Sequence, residues 1–355
     1  MIVNKFPLAA ESGHIYGVNW NGNYNSDWTR TDDSADFQNP VPYIGGASSY
    51  GSPFDNLYPW KDMTIANGSR AGKVVKIPKF WYKLTPNNNN EKQYGFAIQI
   101  ADYAADGFSV CPACMDRGDG KGVRSYIYVG RYHCASTYKS TSKVKPAANQ
   151  TFGTFKTGIE GLGTGIYMMD FATLFTIWLL YLVEFANWKS QYAIGYGNGE
   201  DSSSSTVNMG YTDSMPYHTG TMKTARSIKG PSTQYRNIEG LWENVEDFID
   251  GCSSNNVNCN FNIRLNPNAS LINVGAAAIG IPYNFSIKNV SGTFPLFIPY
   301  NAGGGRLDRW YTNGACITAG SCYNQTETYN GIFELGSEGT TMKYSYIGSR
   351  LMQLP

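Results

Sequence analysis

The stretch Asp170–Gln191, DFATLFTIWLLYLVEFANWKSQ, constrains this chain more than any other. Phe171, Leu174, Phe175, Trp178, Leu182 and Phe185 recur at the spacing of one helical face. Ile177, Leu180, Tyr181 and Val183 fill most of the remaining circumference. A helix apolar nearly all round has to be covered on several sides, which predicts a helix at the centre of a domain. Asp170 suits the N-cap, where its carboxylate accepts from first-turn amides. Length excludes a membrane span. The unbroken run Ile177–Val183 is far short of the ~20 apolar residues a bilayer requires, and Glu184 ends it.

A chain of 355 residues can surround such a helix with one large or two ordinary domains. Charged residues are only 15%, aromatics 14%, and there are 39 Gly, a composition of loop-heavy folds that display polar and aromatic groups. With a net charge of +1, no bulk field recruits nucleic acid or an anionic membrane. Met1–Ala10 holds one Lys and no apolar run of signal-peptide length, so sites such as Asn268 and Asn324 are expected to stay unglycosylated. Seven Cys, an odd number, argue for reduced buried thiols over a disulfide framework.

Residues 1–72 are dense in turn formers and scattered aromatics, among them Trp20, Trp28, Phe54 and Trp60, and are expected to be an attachment or oligomerisation region. Residues 73–355 are expected to be the ligand-binding domain. Strand signals begin at Val75 and Ile77, break at Pro78, and continue through Tyr94, Phe96, Ile98 and Ile100. Ser125–His133 also alternates. A glycine turn, Gly161–Gly165, leads into the central helix. A second helix is predicted over Ile238–Asp250, with Ile238, Leu241, Trp242, Val245, Phe248 and Ile249 buried and Glu239, Glu243, Glu246 and Asp247 wet, stopped by Gly251. Further strands are expected at Phe261–Leu265, Gly314–Ala319, Gly331–Leu335 and Lys343–Leu351. The order is α+β rather than an alternating parallel sheet.

No organised catalytic set is present. Cys111-Pro-Ala-Cys114 has metal-knuckle spacing, and His133-Cys134 could complete a Cys3His zinc site, but adjacent strand residues face opposite ways and do not easily reach one ion. Of the three His, none sits in an H-E-x-x-H motif, and there is no G-x-S-x-G. Gly161, Gly163 and Gly165 lack the spacing and following residues of a nucleotide loop. The chain is therefore expected to be no enzyme and to need no cofactor or metal.

Surface chemistry remains. The C-terminal segment carries Trp310, Tyr311, Asn313, Tyr323, Asn324, Glu327, Thr328, Tyr329, Lys343, Tyr344 and Tyr346. Tyr and Trp give rigid contact area at small entropy cost, and Asn and Thr add adaptable hydrogen bonds, a mixture resembling a paratope. These eleven are the candidate ligand-binding residues.

Several stretches together resemble a known group. They are Val75-Lys-Ile-Pro-Lys-Phe-Trp-Tyr-Lys83, Tyr126-Ile-Tyr-Val-Gly130, Gly163-Thr-Gly165 before Asp170-Phe171, and Tyr181-Leu-Val-Glu-Phe-Ala-Asn187. Tyr235-Arg-Asn-Ile-Glu-Gly-Leu-Trp-Glu-Asn244 before Phe248-Ile-Asp-Gly251, and the closing Ile347-Gly-Ser-Arg-Leu351, complete the set. In order and spacing they resemble bacteriophage tail receptor-binding proteins of C-type-lectin-like fold, including the variable proteins of diversity-generating retroelements. Formylglycine-generating enzymes share that fold.

The resemblance implies two helices flanking a small mixed or antiparallel sheet with many long loops. It also implies a ligand face built just before the terminal Gly-Ser-Arg. Its partners would be a host cell-surface protein or glycan and phage tail fibre or baseplate proteins, its place the virion, and its assembly a homo-oligomer such as a trimer. No nucleic-acid binding or membrane insertion is expected. A cellular lectin-like adhesin and a formylglycine-type oxidase are the alternatives. Against the oxidase, Cys316 and Cys322 lie where such enzymes carry a cysteine pair but lack the basic, serine-rich context. The calcium-dependent sugar motifs of C-type lectins are absent, with Asn266-Pro-Asn268 only an echo.

Overall fold

All fifteen residues of Phe171–Phe185 are buried in a single helix in the computed structural model. The structure describes residues 13–22, 28–87, 95–198, 205–230, 233–254, 260–263, 272–276, 282–290, 294–302, 308, 314–324 and 331–355. Three α-helices form among these: α1 (Phe152–Glu160), α2 (Phe171–Phe185) and the single turn α3 (Ser190–Ala193). Asp170 caps α2 as its sequence predicts, its Oδ1 accepting from the Thr173 amide at 2.9 Å. At the other end Ala186 turns left-handed (φ 50°), and Arg30 donates to the carbonyls of Val183 and Glu184 at 2.9 and 2.6 Å. Those are two of the last-turn acceptors a helix cannot satisfy internally.

Strands wrap this axis, so the mixed α+β class holds. One antiparallel sheet runs Thr29–Asp32, Ile15–Trp20, Phe96–Ala101, Trp81–Pro86, Ser109–Val110, and α2 packs against its centre. A second runs Ile166–Met168, Leu351–Gln353, Tyr126–Gly130, Gly72–Pro78, Ile65–Gly68. Pro78 thus separates two strands of different sheets rather than kinking one. Both sheets cross the expected boundary at residue 72. Ile15–Trp20 pairs with Phe96–Ala101, and Ile65–Gly68 with residues 72–75. Trp20, Trp28, Phe54 and Trp60 belong to the same core as Phe175 and Trp178 of α2. The described part of residues 1–72 therefore shares its sheets and core with the rest of the chain.

The second predicted helix does not form. Residues 238–250 give two short strands, Ile238–Glu239 and Glu246–Ile249, in two different four-stranded sheets. The backbone explains the correction. Arg236, Asn237, Gly240, Asn244 and Gly251 take φ of 45°, 70°, 70°, 73° and 73°, and right-handed helix cannot run through left-handed residues every few positions. A helix that no sequence signal announced stands elsewhere: α1, capped by Thr151 accepting from the Thr154 amide, begins where the polar stretch before residue 151 ends. The Gly161–Gly165 turn then enters the edge strand Ile166–Met168 before reaching α2.

Of the four late strand predictions, Phe261 and Cys316 fall in strands Asn260–Ile263 and Cys316–Ala319. Gly331–Leu335 is mostly turn, with its strand displaced to Leu335–Glu338. Lys343–Leu351 yields Ile347–Ser349 and the start of Leu351–Gln353. Tyr94 lies outside the described residues.

Candidate functional site

The tail-end surface centres on Tyr344-Ser345-Tyr346, in the turn that leads into the strand Ile347–Ser349. The two tyrosine rings stack with centroids 4.9 Å apart and planes 19° apart. Both are half-buried, lying against the smaller core of Phe155, Phe248, Ile347 and Leu351. The backbone beneath them is pinned on two sides. Tyr344 O accepts from the Asn149 amide at 2.8 Å, and Tyr346 O from the Glu246 amide at 3.0 Å. The Tyr344 hydroxyl donates to Glu338, whose carboxyl burial pushes up despite that bond. Burial, Glu338 and Glu246 raise the Tyr346 phenol as well, so both tyrosines stay neutral through physiological pH.

Around the stack, Lys343, Ser345, Met342 and Asn324 are exposed. Tyr323 is not. At 7% exposure it sits beneath the surface, its hydroxyl bonded to Ser345 Oγ at 2.9 Å. Of the eleven candidates the structure thus joins Tyr323, Asn324, Lys343, Tyr344 and Tyr346 around Ser345. Trp310, Tyr311, Asn313, Glu327, Thr328 and Tyr329 lie outside the described residues. Ser345, Glu338 and Asn149 were missed. Only Ser345 had a signal, its place between two tyrosines.

The surface stands on buried charge. Arg350, the last residue of Gly348-Ser-Arg350, is fully buried and directs five donors at five acceptors. Its Nε donates to Asp247 Oδ2 (3.0 Å), Nη1 to the carbonyls of Gly130 and Arg131 (2.9 and 3.1 Å), and Nη2 to those of Glu239 and Gly240 (2.9 and 3.1 Å). His133 Nδ1 bonds the other Asp247 oxygen at 2.8 Å. One side chain therefore ties the C-terminal strands to the segments around residues 130, 240 and 247.

The acidic row expected to be wet is buried too, at 6% for Glu239, 2% for Glu243, 6% for Glu246 and 4% for Asp247. Each carboxylate holds another segment. Glu239 accepts from the amides of Gly210 and Thr212 (2.6 and 2.9 Å). Glu243 accepts from those of Asn198 and Thr233 (2.7 and 2.9 Å). Glu246 accepts from Thr318 Oγ1 at 2.6 Å, and Asn244 bonds both N and O of Val207 at 3.0 Å. A second buried network joins Glu184 of α2 to Arg236 and Tyr235, with Arg236 reaching Asp55 at 3.1 Å. Asp55 also bonds His218 Nε2 (2.9 Å) and the Tyr217 hydroxyl (2.7 Å), and these partners hold its carboxyl down to about 2 against the upward push of burial.

The remaining candidates for chemistry do not converge. Cys111 and Cys114 bond one another in the main core, while Cys134 belongs to the smaller one and His133 is engaged with Asp247. Among the described residues, no three His, Cys, Asp or Glu side chains are grouped to hold a metal. The described cysteines Cys111, Cys114, Cys134, Cys316 and Cys322 are free and buried. Cys316 packs in the smaller core, its thiol pushed up to about 11 by burial and Asp250. Cys322 faces Glu246 and Asn324, and burial with Glu246 raises it further. At neutral pH both are protonated thiols, poor nucleophiles. No helix of the described residues is long and apolar enough to cross a membrane. No protein-family model matches the chain, and no curated protein matches it.

Proposed function

We propose that the chain is a non-enzymatic recognition protein, the host-receptor-binding protein of a bacteriophage tail, which grips its ligand with the surface around Tyr344 and Tyr346. The observation that carries the reading is the stacked, half-exposed tyrosine pair beside exposed Lys343 and Asn324 on a pinned backbone. Aromatic groups held rigidly lose little entropy on binding, and such anchors dominate interface energetics. The motif resemblance supplies the finer content: a C-type-lectin-like scaffold, a ligand that is a host surface protein or glycan, and a segment open to diversification by a retroelement. Attachment to tail fibre or baseplate proteins falls to residues 1–72, through their outward surface.

The test is adsorption of fluorescently labelled protein to intact cells of candidate hosts. The double variant Lys343→Ala, Tyr344→Ala should bind at least about tenfold more weakly, as loss of a hot-spot aromatic does. Its melting temperature should stay close to that of the parent. Undiminished adsorption would move the ligand face elsewhere. A reverse transcriptase gene beside this one, with a near-copy of the last ~50 codons, is the expected mark of diversification, since a recognition patch involves on the order of 20–30 residues.

A further inference from the structure

At the C-terminal end of α1 lies a groove of about 620 Å³ lined by Lys156, Glu160, Gly163, Thr164, Gly165 and Tyr167. Phe152, at the opposite end of α1, and the two tyrosines each pack against the smaller core. None of Asn324, Lys343, Tyr344 and Tyr346 lines the groove, so the two are distinct sets of residues.

The groove's charges are already balanced. Lys156 Nζ lies 2.6 Å from both Glu160 Oε1 and Asp250 Oδ2, and these bonds outweigh burial to hold the ammonium's affinity for its proton above normal. The Arg70 guanidinium lies over Gly163, in the space a side chain there would take. Two cations and two carboxylates sum to zero. The C-terminal end of a helix adds partial negative charge, so a phosphate or sulfate gains nothing by entering. The lining offers instead what a sugar uses. An ammonium has three donors, of which the two carboxylates take two. Glu160, a third exposed at its side chain, is a planar acceptor for paired hydroxyls. The half-buried Tyr167 presents a ring for the C–H face of a pyranose. Gly163 and Gly165, at φ 132° and 81°, form a turn that other residues rarely adopt and bring its backbone to the groove wall. An extended peptide is less well served. The adjoining edge strand Ile166–Met168 has three residues and α1 packs against it, leaving little ladder to extend.

We propose that this groove binds a neutral oligosaccharide. The inference stands on the groove alone and does not need the tyrosine face. It is tested on the full chain by saturation-transfer NMR and calorimetry. The probes are neutral gluco-, galacto-, manno- and N-acetylglucosamine tetra- to hexasaccharides, with sulfated and uronate oligosaccharides and an extended hexapeptide as comparators. At least one neutral probe should bind with a Kd on the order of 1 mM or tighter. Thr164→Trp, which fills the groove from an exposed position, and Glu160→Ala, which leaves Lys156 its bond to Asp250, should each weaken it tenfold or more. The Lys343→Ala, Tyr344→Ala variant should bind the same probe as the parent does. The proposal is overturned if no neutral probe binds, if the anionic probes or the peptide bind better, or if Thr164→Trp leaves the affinity intact. Loss confined to the tyrosine variant would also overturn it, while leaving the reading of the tyrosine face in place.

Discussion

Residues 171–185 and 238–250 both show helical spacing of apolar residues, yet only the first is a helix. In α2 the polar positions are few, and each has a defined partner. Thr176 bonds Ala172 O and the Ala113 amide, and Glu184 pairs with Arg236. In the second segment the polar positions are as deeply buried as the apolar ones. A period counts which residues are apolar; it does not ask whether the others have buried partners. Where carboxylates clamp amides from distant loops, an apparent wet face is a second core face. Apolar packing builds the axis of this protein, and buried charge positions the loops around it.

The largest expected effect tests the apolar half. Trp178 stacks on Phe297, meets Phe171, Phe175 and Phe333, and donates to Ile332 O at 2.7 Å. Trp178→Ala should destabilise by about 3–5 kcal/mol in denaturant titration. A loss under about 1 kcal/mol would mean that α2 is not the axis.

The legible and illegible parts divide along the same line. Asp170 as cap, the 171–185 helix and the alternating 96–101 and 126–130 strands were readable because their patterns are local. Asn237, Gly240 and Asn244 were readable in principle as left-handed residues, but six apolar residues at helical spacing outweighed them. Arg350 could not be read at all, since its five acceptors lie as much as 220 positions away. At the candidate site Tyr344 and Tyr346 were readable as tyrosines of the C-terminal segment, whereas their stacking and the burial of Tyr323 against Ser345 depend on tertiary contacts.

Two buried aspartates sharpen the charged half, because they should respond to pH in opposite senses. Burial alone would raise both. At Asp247 the hydrogen-bonded partners His133 and Arg350 win, and the carboxyl titrates below its ordinary value. Its contribution is present above the unfolded value of about 3.9 and is lost as pH falls through the lower folded one. At Asp308 the Phe333 amide, Gln191 and the more distant Lys189 are too weak, and burial pushes the carboxyl up to about 7. Its penalty is absent below about 3.9, grows as pH rises towards 7 and is complete above it. Asp247→Asn should cost about 3–5 kcal/mol at pH 7 by stranding the buried Arg350 guanidinium, and progressively less below pH 4. Asp308→Asn, which keeps an acceptor for Phe333, should raise the melting temperature at pH 8, a gain of at most about 4 kcal/mol, and leave it unchanged near pH 3. Parallel pH profiles for the two variants would show that burial, not partner charge, governs both sites.

The smallest effect separates a clamp from a wet helical face most cleanly. Glu243 holds Asn198 N with Oε2 and Thr233 N with Oε1. Glu243→Gln keeps the shape and one acceptor but turns an amide NH2 towards an N–H. One of the two backbone donors then loses its partner in a buried site, a loss of about 1–3 kcal/mol. On an exposed helical face the same change would stay within about 0.5 kcal/mol. Amide exchange localises the cause: protection should drop at Asn198 or Thr233 and persist along α2, because the clamp orders loops while the apolar axis stands without it. Equal loss of protection in α2 would mean that the two halves fold as one unit, and the division between apolar axis and charged clamps would then describe composition rather than energetics.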